Sequence, residues 1–84
     1  MSGRKLQILL VDDHAVVRGG LRLLLAQSGS MEVAGEAESA EQAIRMVRQN
    51  EFDVALVDIG LPGKGGLDLL KQIRTERPGL AVLM

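Results

Sequence analysis

Residues 53–67 read Asp-Val-Ala-Leu-Val-Asp-Ile-Gly-Leu-Pro-Gly-Lys-Gly-Gly-Leu, an apolar segment followed by a glycine-rich one. With Phe52 in front, the first segment is short and mostly apolar, which is typical of a strand buried on both faces of a parallel sheet. The apolar run stops at Asp58. The residues from Ile59 to Gly66 then include four glycines and a proline. They predict a loop that turns sharply or closely approaches another group.

Strands and helices alternate on both sides of this segment. Strands are predicted at 6–11, 31–37, 52–57 and 80–84, with helices from Ala15 to about residue 27, from residue 40 to about Asn50, and from Leu67 up to Pro78. Ser39 and Gln42 have the spacing of a capping box, and Gly29 follows the first helix where a left-handed cap is favoured. Regular alternation of strands and helices predicts an α/β fold, a doubly wound parallel sheet with right-handed crossovers.

Composition excludes several classes of protein. The 84 residues carry 10 Lys or Arg against 11 Asp or Glu and are 46% hydrophobic, so a disordered chain is excluded and a basic nucleic-acid-binding surface is not expected. There is no cysteine, which excludes disulfides and thiolate metal sites. The longest apolar run is too short to cross a bilayer. We expect a small intracellular domain with no membrane contact.

Aspartates follow two of the predicted strands. Asp12 and Asp13 come directly after the first strand, and Asp58 comes directly after the third. If the strand order is 2-1-3-4, these carboxylates meet at the carboxyl edge of the sheet, where open α/β folds bind ligands. Converging carboxylates raise one another's pKa or admit a cation, and oxygen-only donors favour a hard ion such as Mg²⁺. Such a site is suited to phosphoryl transfer.

Several motifs carry a family resemblance. The segments Val11-Asp12-Asp13-His14, Val17-Arg18-x-Gly20-Leu21, Val33-Ala34-Gly35-Glu36-Ala37 and Asp53-Val54-x-Leu56-x-Asp58-Ile59-x-Leu61-Pro62-Gly63-x-x-Gly66-Leu67 resemble the receiver domain of bacterial two-component response regulators. The most similar subgroup carries a C-terminal helix-turn-helix domain of the LuxR type. The resemblance implies a flavodoxin-like fold with strand order 2-1-3-4-5, of which this chain supplies the 2-1-3-4 part.

The resemblance also implies a role for each site residue. Asp58 would accept a phosphoryl group from a sensor histidine kinase, Asp13 would bind Mg²⁺ directly and Asp12 through water. The backbone carbonyl of Gly60 would complete the coordination, and Pro62 and Gly63 would shape the loop behind it. The sequence departs from the family pattern at two places. Gly60 stands where many receivers have a larger residue, and Lys64-Gly65 stands where receivers often have Met-Asp. The implied protein is a cytoplasmic signalling module, not an enzyme, and would contact DNA only through a separate output domain.

The resemblance sets expectations for the end of the chain. Receivers place a Ser or Thr after the fourth strand and a Lys after the fifth, and both positions fall beyond Met84. We therefore expect residues 1–84 to be the N-terminal two-thirds of a receiver, without the fifth strand and the last two helices. Phosphorylation is then expected to be slow and incomplete. Residues 80–84 would form an exposed sheet edge and favour a homo-oligomer.

Other interpretations remain open at this stage. A second hypothesis is a Mg²⁺-dependent phosphatase or mutase that uses an aspartyl phosphate; such enzymes of the haloacid-dehalogenase type place an acid two residues after the nucleophile, where Gly60 stands. A phosphorylation-independent interaction domain differs from a phosphoacceptor only in the chemistry of Asp58. Each aspartate alone could be a cap, with Asp13 capping the first helix. We interpret His14 as a solvated loop residue, and the arginines at 18, 22, 45, 48, 74 and 77 as solvated helix faces.

Overall fold

The computed structural model describes residues 5–61 and 65–84. Four strands alternate with three helices in the order β1 (Leu6–Val11), α1 (Ala15–Gln27), β2 (Met31–Ala37), α2 (Ala40–Gln49), β3 (Val54–Val57), α3 (Gly66–Glu76) and β4 (Ala81–Leu83). The predicted elements are all present. Their ends differ from the prediction by a few residues, most at β3 and β4, where both strands are shorter than their apolar runs.

The strands form one parallel sheet in the order β2-β1-β3-β4. This order confirms the predicted flavodoxin-like arrangement, and it puts the half-exposed β2 at an edge of the sheet. The pairing of β1 with β2 shifts register between Ile8 and Leu9, which pair with Val33 and Gly35. Beyond this shift the pairing continues to Val11 and Ala37.

Most of the core lies on one face of the sheet, beneath α2 and α3. Its fully buried members include Leu9 and Val11 of the sheet, Val47 of α2, and Leu69 and Ile73 of α3. Because side chains alternate along a strand, Ile8 and Leu10 of β1 face the other way. Helices α2 and α3 thus cover the same face of the sheet.

Helix α1 covers the opposite face only in part. No residue of α1 is fully buried, and Val16, Leu23 and Leu24 are mostly exposed. Leu21 lines a shallow groove with Leu10 and Leu56, which locates α1 on that face. The prediction of a helix from Ala15 to about residue 27 is confirmed. The extent of its burial depends on what packs against it, which spacing does not determine.

Local sequence signals account for two of the helix ends. Ser39 caps α2, since its Oγ accepts a hydrogen bond from the Gln42 amide at 3.1 Å, and the Gln42 side chain accepts one from the Glu38 amide at 2.8 Å. Gly29 follows α1 with a φ of 74°, a left-handed conformation that glycine adopts without strain. Within the described ranges, no helix is long and apolar enough to span a bilayer.

Candidate functional site

The register of β1 and β3 sets the position of the acidic residues. Val11 and Val57 are partners in this pairing, and the Asp58 amide donates a hydrogen bond to the Val11 carbonyl at 2.9 Å. On the other side, the Asp12 amide donates to the Ala37 carbonyl of β2 at 3.0 Å. Asp12 and Asp58 are therefore the first residues beyond two adjacent strand ends, at the carboxyl edge of the sheet.

The predicted aspartates do converge. Asp12, Asp13, Asp58 and His14 each contribute one ligand atom to a group in which all these atoms lie within 4.8 Å of one another. The Asp12 side chain is 14% exposed and that of Asp58 is 27% exposed. The cluster is therefore anchored in the fold but open to a reactant from solvent.

Local hydrogen bonds orient two of the carboxylates. Asp12 Oδ1 accepts from the His14 amide at 2.8 Å, and Asp58 Oδ1 accepts from the Gly60 amide at 2.9 Å. These are bonds to a main-chain amide two residues on, which is the usual turn-forming role of aspartate. Helix α1 takes His14 rather than Asp13 as its N-cap residue, so the alternative in which Asp13 caps this helix is wrong.

His14 is more closely tied to the cluster than its sequence context indicated. Its side chain is 64% exposed, in agreement with a loop residue, but Nδ1 lies 2.9 Å from Asp12 Oδ1 and 3.0 Å from Asp13 Oδ1. The hydrogen bond to Asp12 raises the pKa of His14 above its ordinary value, and the charge on Asp13 raises it further. The adjacency of His14 to the acidic pair was the available signal for this contact.

The donor set of the cluster fits Mg²⁺. Carboxylate oxygens from Asp12, Asp13 and Asp58 converge at an exposed edge, and Mg²⁺ binds such oxygens while retaining several waters. Gly60 lies two residues beyond Asp58 in an exposed turn, so its carbonyl belongs to the loop that follows Asp58. Pro62 and Gly63, expected to shape the loop behind the site, lie outside the described residues.

Sequence reasoning missed the arginine beside the site. Arg18 was interpreted as part of a solvated face, but its side chain is only 14% exposed. Nη1 donates to the Asp12 carbonyl at 2.6 Å, and Nε donates to Glu36 Oε1 at 3.1 Å. The solvated-face interpretation is also wrong for Arg77, which donates to the Val47 carbonyl at 3.1 Å. The first-turn position of Arg18 was a signal, because helical side chains point back toward the N-terminus.

Comparison with known proteins identifies the family. The family model for the response regulator receiver domain matches this sequence over residues 8–84. The chain belongs to the response regulator receiver family.

Curated relatives of this receiver include response regulators and a transcriptional regulatory protein. It is 38% identical over 79 residues to the response regulator UvrY of Escherichia coli K12, a match that covers 94% of this chain and 36% of UvrY. It is 41% identical over 70 residues to the transcriptional regulatory protein YdfI of Bacillus subtilis 168, covering 83% of this chain and 33% of YdfI. The receiver chain thus spans about a third of the length of the curated relatives it matches.

Solved structures agree with the sequence relatives. A LuxR-family response regulator from Aurantimonas sp. SI85-9A1 superposes with a TM-score of 0.89 at 34% identity, covering 94% of this chain and 56% of that one. The isolated receiver domain of RcsB from Salmonella enterica serovar Typhimurium, in the presence of the phosphomimetic BeF₃⁻, gives a TM-score of 0.86 at 28% identity, covering 94% and 59%. RcsB has also been solved bound to DNA. The predicted receiver family is confirmed, and a LuxR-family response regulator is among the similar structures.

Proposed function

We propose that this receiver is the phosphoacceptor module of a two-component system, in which Asp58 accepts a phosphoryl group from a sensor histidine kinase. The observation that carries the proposal is the convergence of Asp58 with Asp12 and Asp13 at the open edge of the sheet. An isolated aspartate would be a turn residue. A partly exposed carboxylate beside two others has the composition of a metal-assisted phosphoryl-transfer site.

Each residue of the site has a distinct proposed role. Asp13 and Asp58 would bind Mg²⁺ directly, Asp12 would bind it through water, and the Gly60 carbonyl would supply a further oxygen. When bound, the metal ion neutralises charge on the phosphoryl oxygens. The Gly60 amide holds Oδ1 of Asp58 and thereby orients the carboxylate plane. The main-chain bond from Asp58 to Val11 keeps that carboxylate at the strand end.

The proposed reaction moves one phosphoryl group between two side chains. A carboxylate oxygen of Asp58 attacks the phosphorus of a kinase phosphohistidine, and a P–O bond forms as the P–N bond breaks. The electron pair of the broken bond returns to the histidine nitrogen. The product on this chain is an acyl phosphate at Asp58. Orientation of the carboxylate before attack is what the fold contributes, because a positioned nucleophile lowers the entropic part of the barrier.

The same geometry argues against an independent phosphatase or mutase. An enzyme of the haloacid-dehalogenase type has an acid two residues after the nucleophile, and Gly60 occupies that position with its amide bonded to Asp58. We infer that the chain is a substrate of the kinase rather than an enzyme. Its output would be transcriptional, through a separate DNA-binding domain, which agrees with the similarity to RcsB, a response regulator solved in complex with DNA. This role implies the cytoplasm.

Self-association through β4 is a further part of the proposal. Strand β4 pairs with β3 on one side and forms an edge of the sheet among the described residues. Leu83 and Met84 are exposed there. An unprotected edge with apolar side chains recruits another strand. Sedimentation velocity should show a dimer or larger species that dissociates on dilution, and a compact monomer at all concentrations would contradict this part.

Phosphorylation by acetyl phosphate in the presence of Mg²⁺ tests the central claim. Intact mass and peptide mapping should locate one phosphoryl group at Asp58, and Asp58→Asn should abolish it. Asp68→Asn is the matched control, because Asp68 is an exposed aspartate on the first turn of α3, outside the cluster. Labelling at another residue, or equal labelling of Asp58→Asn, would overturn the site assignment.

A further inference from the structure

Arg18 connects three parts of the fold at the acidic site. It belongs to the first turn of α1, its Nη1 donates to the Asp12 carbonyl at 2.6 Å, and its Nε donates to Glu36 of β2 at 3.1 Å. The guanidinium is planar and offers several donors in a fixed fork, so it can hold two acceptors at once. We propose that Arg18 and Glu36 are positioning residues, which hold the peptide between Asp12 and Asp13 in the orientation that metal binding needs.

The clamped atom explains how Arg18 acts on both carboxylates. The carbonyl of Asp12 and the amide of Asp13 belong to the same planar peptide group. The Asp12 amide is already bonded to the Ala37 carbonyl at 3.0 Å. With the bond from Arg18 on the other side, the main chain of Asp12 is held at both its amide and its carbonyl. The orientation of Asp13 relative to β1 is then restricted, because its amide is part of the held peptide group.

Glu36 gives Arg18 its orientation. The Glu36 carboxylate accepts from Arg18 Nε through Oε1 and from Arg22 Nη1 through Oε2. Because the Arg18 side chain is 14% exposed and that of Arg22 is 55% exposed, the Arg18 contact is the better shielded of the two. Arg22 is bonded to the same carboxylate, whereas the carbonyl of Asp12 is held by Arg18. Arg22 is therefore a matched control of equal charge and length.

Electrostatics and positioning predict opposite effects on metal affinity. Removal of a positive charge near a cation site strengthens cation binding, since like charges repel. Loss of a clamp that orients the ligands weakens it, and substitutions of supporting residues in metal sites commonly cost tenfold or more. A weaker affinity in Arg18→Met therefore cannot come from the change in charge. This inference rests on the proposed function only in assuming that the acidic cluster binds Mg²⁺.

The test is Mg²⁺ titration of wild type, Arg18→Met and Arg22→Met by calorimetry, with amide spectra of the same proteins. Arg18→Met should weaken the Mg²⁺ affinity by about tenfold, whereas Arg22→Met should leave it unchanged or slightly tighter. The amide of Asp13 should become more mobile in Arg18→Met without Mg²⁺, as seen in nitrogen relaxation. Equal affinities in all three proteins, or equal weakening in both variants, would overturn the proposal.

A second pair of variants covers the case in which Arg18→Met does not fold. Arg18→Lys retains the charge and most of the apolar stem but lacks the fork, so its Mg²⁺ affinity should fall between those of the wild type and a protein without the clamp. Glu36→Gln should also weaken the affinity, but Arg18→Lys is the decisive variant of the pair, because loss of the Glu36 charge weakens cation binding by itself. Wild-type affinity in Arg18→Lys and Glu36→Gln would overturn the inference, as would a wild-type chain with no affinity for Mg²⁺.

The outcome is separable from that of the proposed function. Loss of affinity in Arg18→Met with no phosphorylation of Asp58 in the wild type would support the clamp and refute the phosphoacceptor. Phosphorylation of Asp58 in the wild type, with unchanged Mg²⁺ affinity in Arg18→Met, would support the phosphoacceptor and refute the clamp.

Discussion

The amide of Asp58 donates a hydrogen bond to the carbonyl of Val11 at 2.9 Å. This bond continues the pairing of β3 with β1 by one residue beyond Val57. The distance between the acidic residues at the two strand ends is therefore set mainly by the main chain. Substitutions of their side chains should leave the sheet in place, which makes them clean probes of the site.

We expect Mg²⁺ to stabilise the wild-type fold and Asp13→Ala to lose this effect. A ligand at ten times its Kd that binds only the native state stabilises it by about 1.4 kcal/mol. Removal of Asp13 also removes repulsion from Asp12, so the metal-free variant should be at least as stable as the wild type. Thermal melting with and without Mg²⁺ measures both effects. Asp68→Ala is the control and should retain the increase in melting temperature that Mg²⁺ causes. If Asp13→Ala also retains the full increase, Asp13 is not a ligand.

Two helical glycines should respond to alanine in opposite directions. A Cβ on Gly66 would lie 2.9 Å from both the Asp58 carbonyl oxygen and the Ile59 Cα, so Gly66→Ala should cost about 1–3 kcal/mol as the loop is displaced. A Cβ on Gly20 would meet no heavy atom within 4 Å, and Gly20→Ala should stabilise by about 0.5–1 kcal/mol. Urea unfolding measures both changes. A neutral Gly66→Ala would mean that α3 can move away from Asp58 at no cost.

Glu36 should make the fold sensitive to acid. Desolvation of this carboxylate raises its pKa, but the hydrogen bonds from Arg22 and Arg18 outweigh it, so the pKa of Glu36 lies below its ordinary value of 4.5. Stability from a lowered pKa is complete above the unfolded-state value and is lost as pH falls through the folded-state value. The difference in stability between wild type and Glu36→Gln should therefore shrink as the pH falls below 4.5.

Urea unfolding of both proteins as a function of pH measures this difference. Glu41→Gln is a suitable control, because Glu41 is an exposed carboxylate on α2. If the difference in unfolding free energy between wild type and Glu36→Gln stays constant from neutral to acidic pH, the Glu36 carboxylate does not make the fold sensitive to acid.

Removal of a hydroxyl should matter at Ser39 but not at Thr75. Ser39 Oγ accepts from the Gln42 amide and caps α2, and loss of such a cap costs about 1 kcal/mol. Thr75 Oγ1 donates to the Lys71 carbonyl inside α3, where alanine is the better helix former. Chemical denaturation should show Ser39→Ala destabilised and Thr75→Ala unchanged or slightly more stable. Equal losses would show that the cap of α2 contributes nothing specific.

The site could be predicted from sequence as far as its acidic residues. Each aspartate follows an apolar run, and parallel strands bring such positions to one edge, so the meeting of Asp12 and Asp58 required only the strand order. His14 and Arg18 were assigned to solvent, although His14 directly follows the acidic pair and Arg18 lies in the first turn of α1. Their contacts depend on how the loop after β1 turns and where α1 lies against β2.

Local patterns in the sequence determined the strands, the helices, the cap at Ser39 and the left-handed Gly29. These features follow from the conformations of neighbouring residues, so the sequence carries them without any knowledge of the fold. The tertiary structure alone decided the bond of Arg18 to Glu36, the register shift at Ile8 and the exposure of Leu24 on α1. Such contacts join residues far apart in the chain or depend on which surfaces pack together, and periodicity does not encode the relative placement of whole elements.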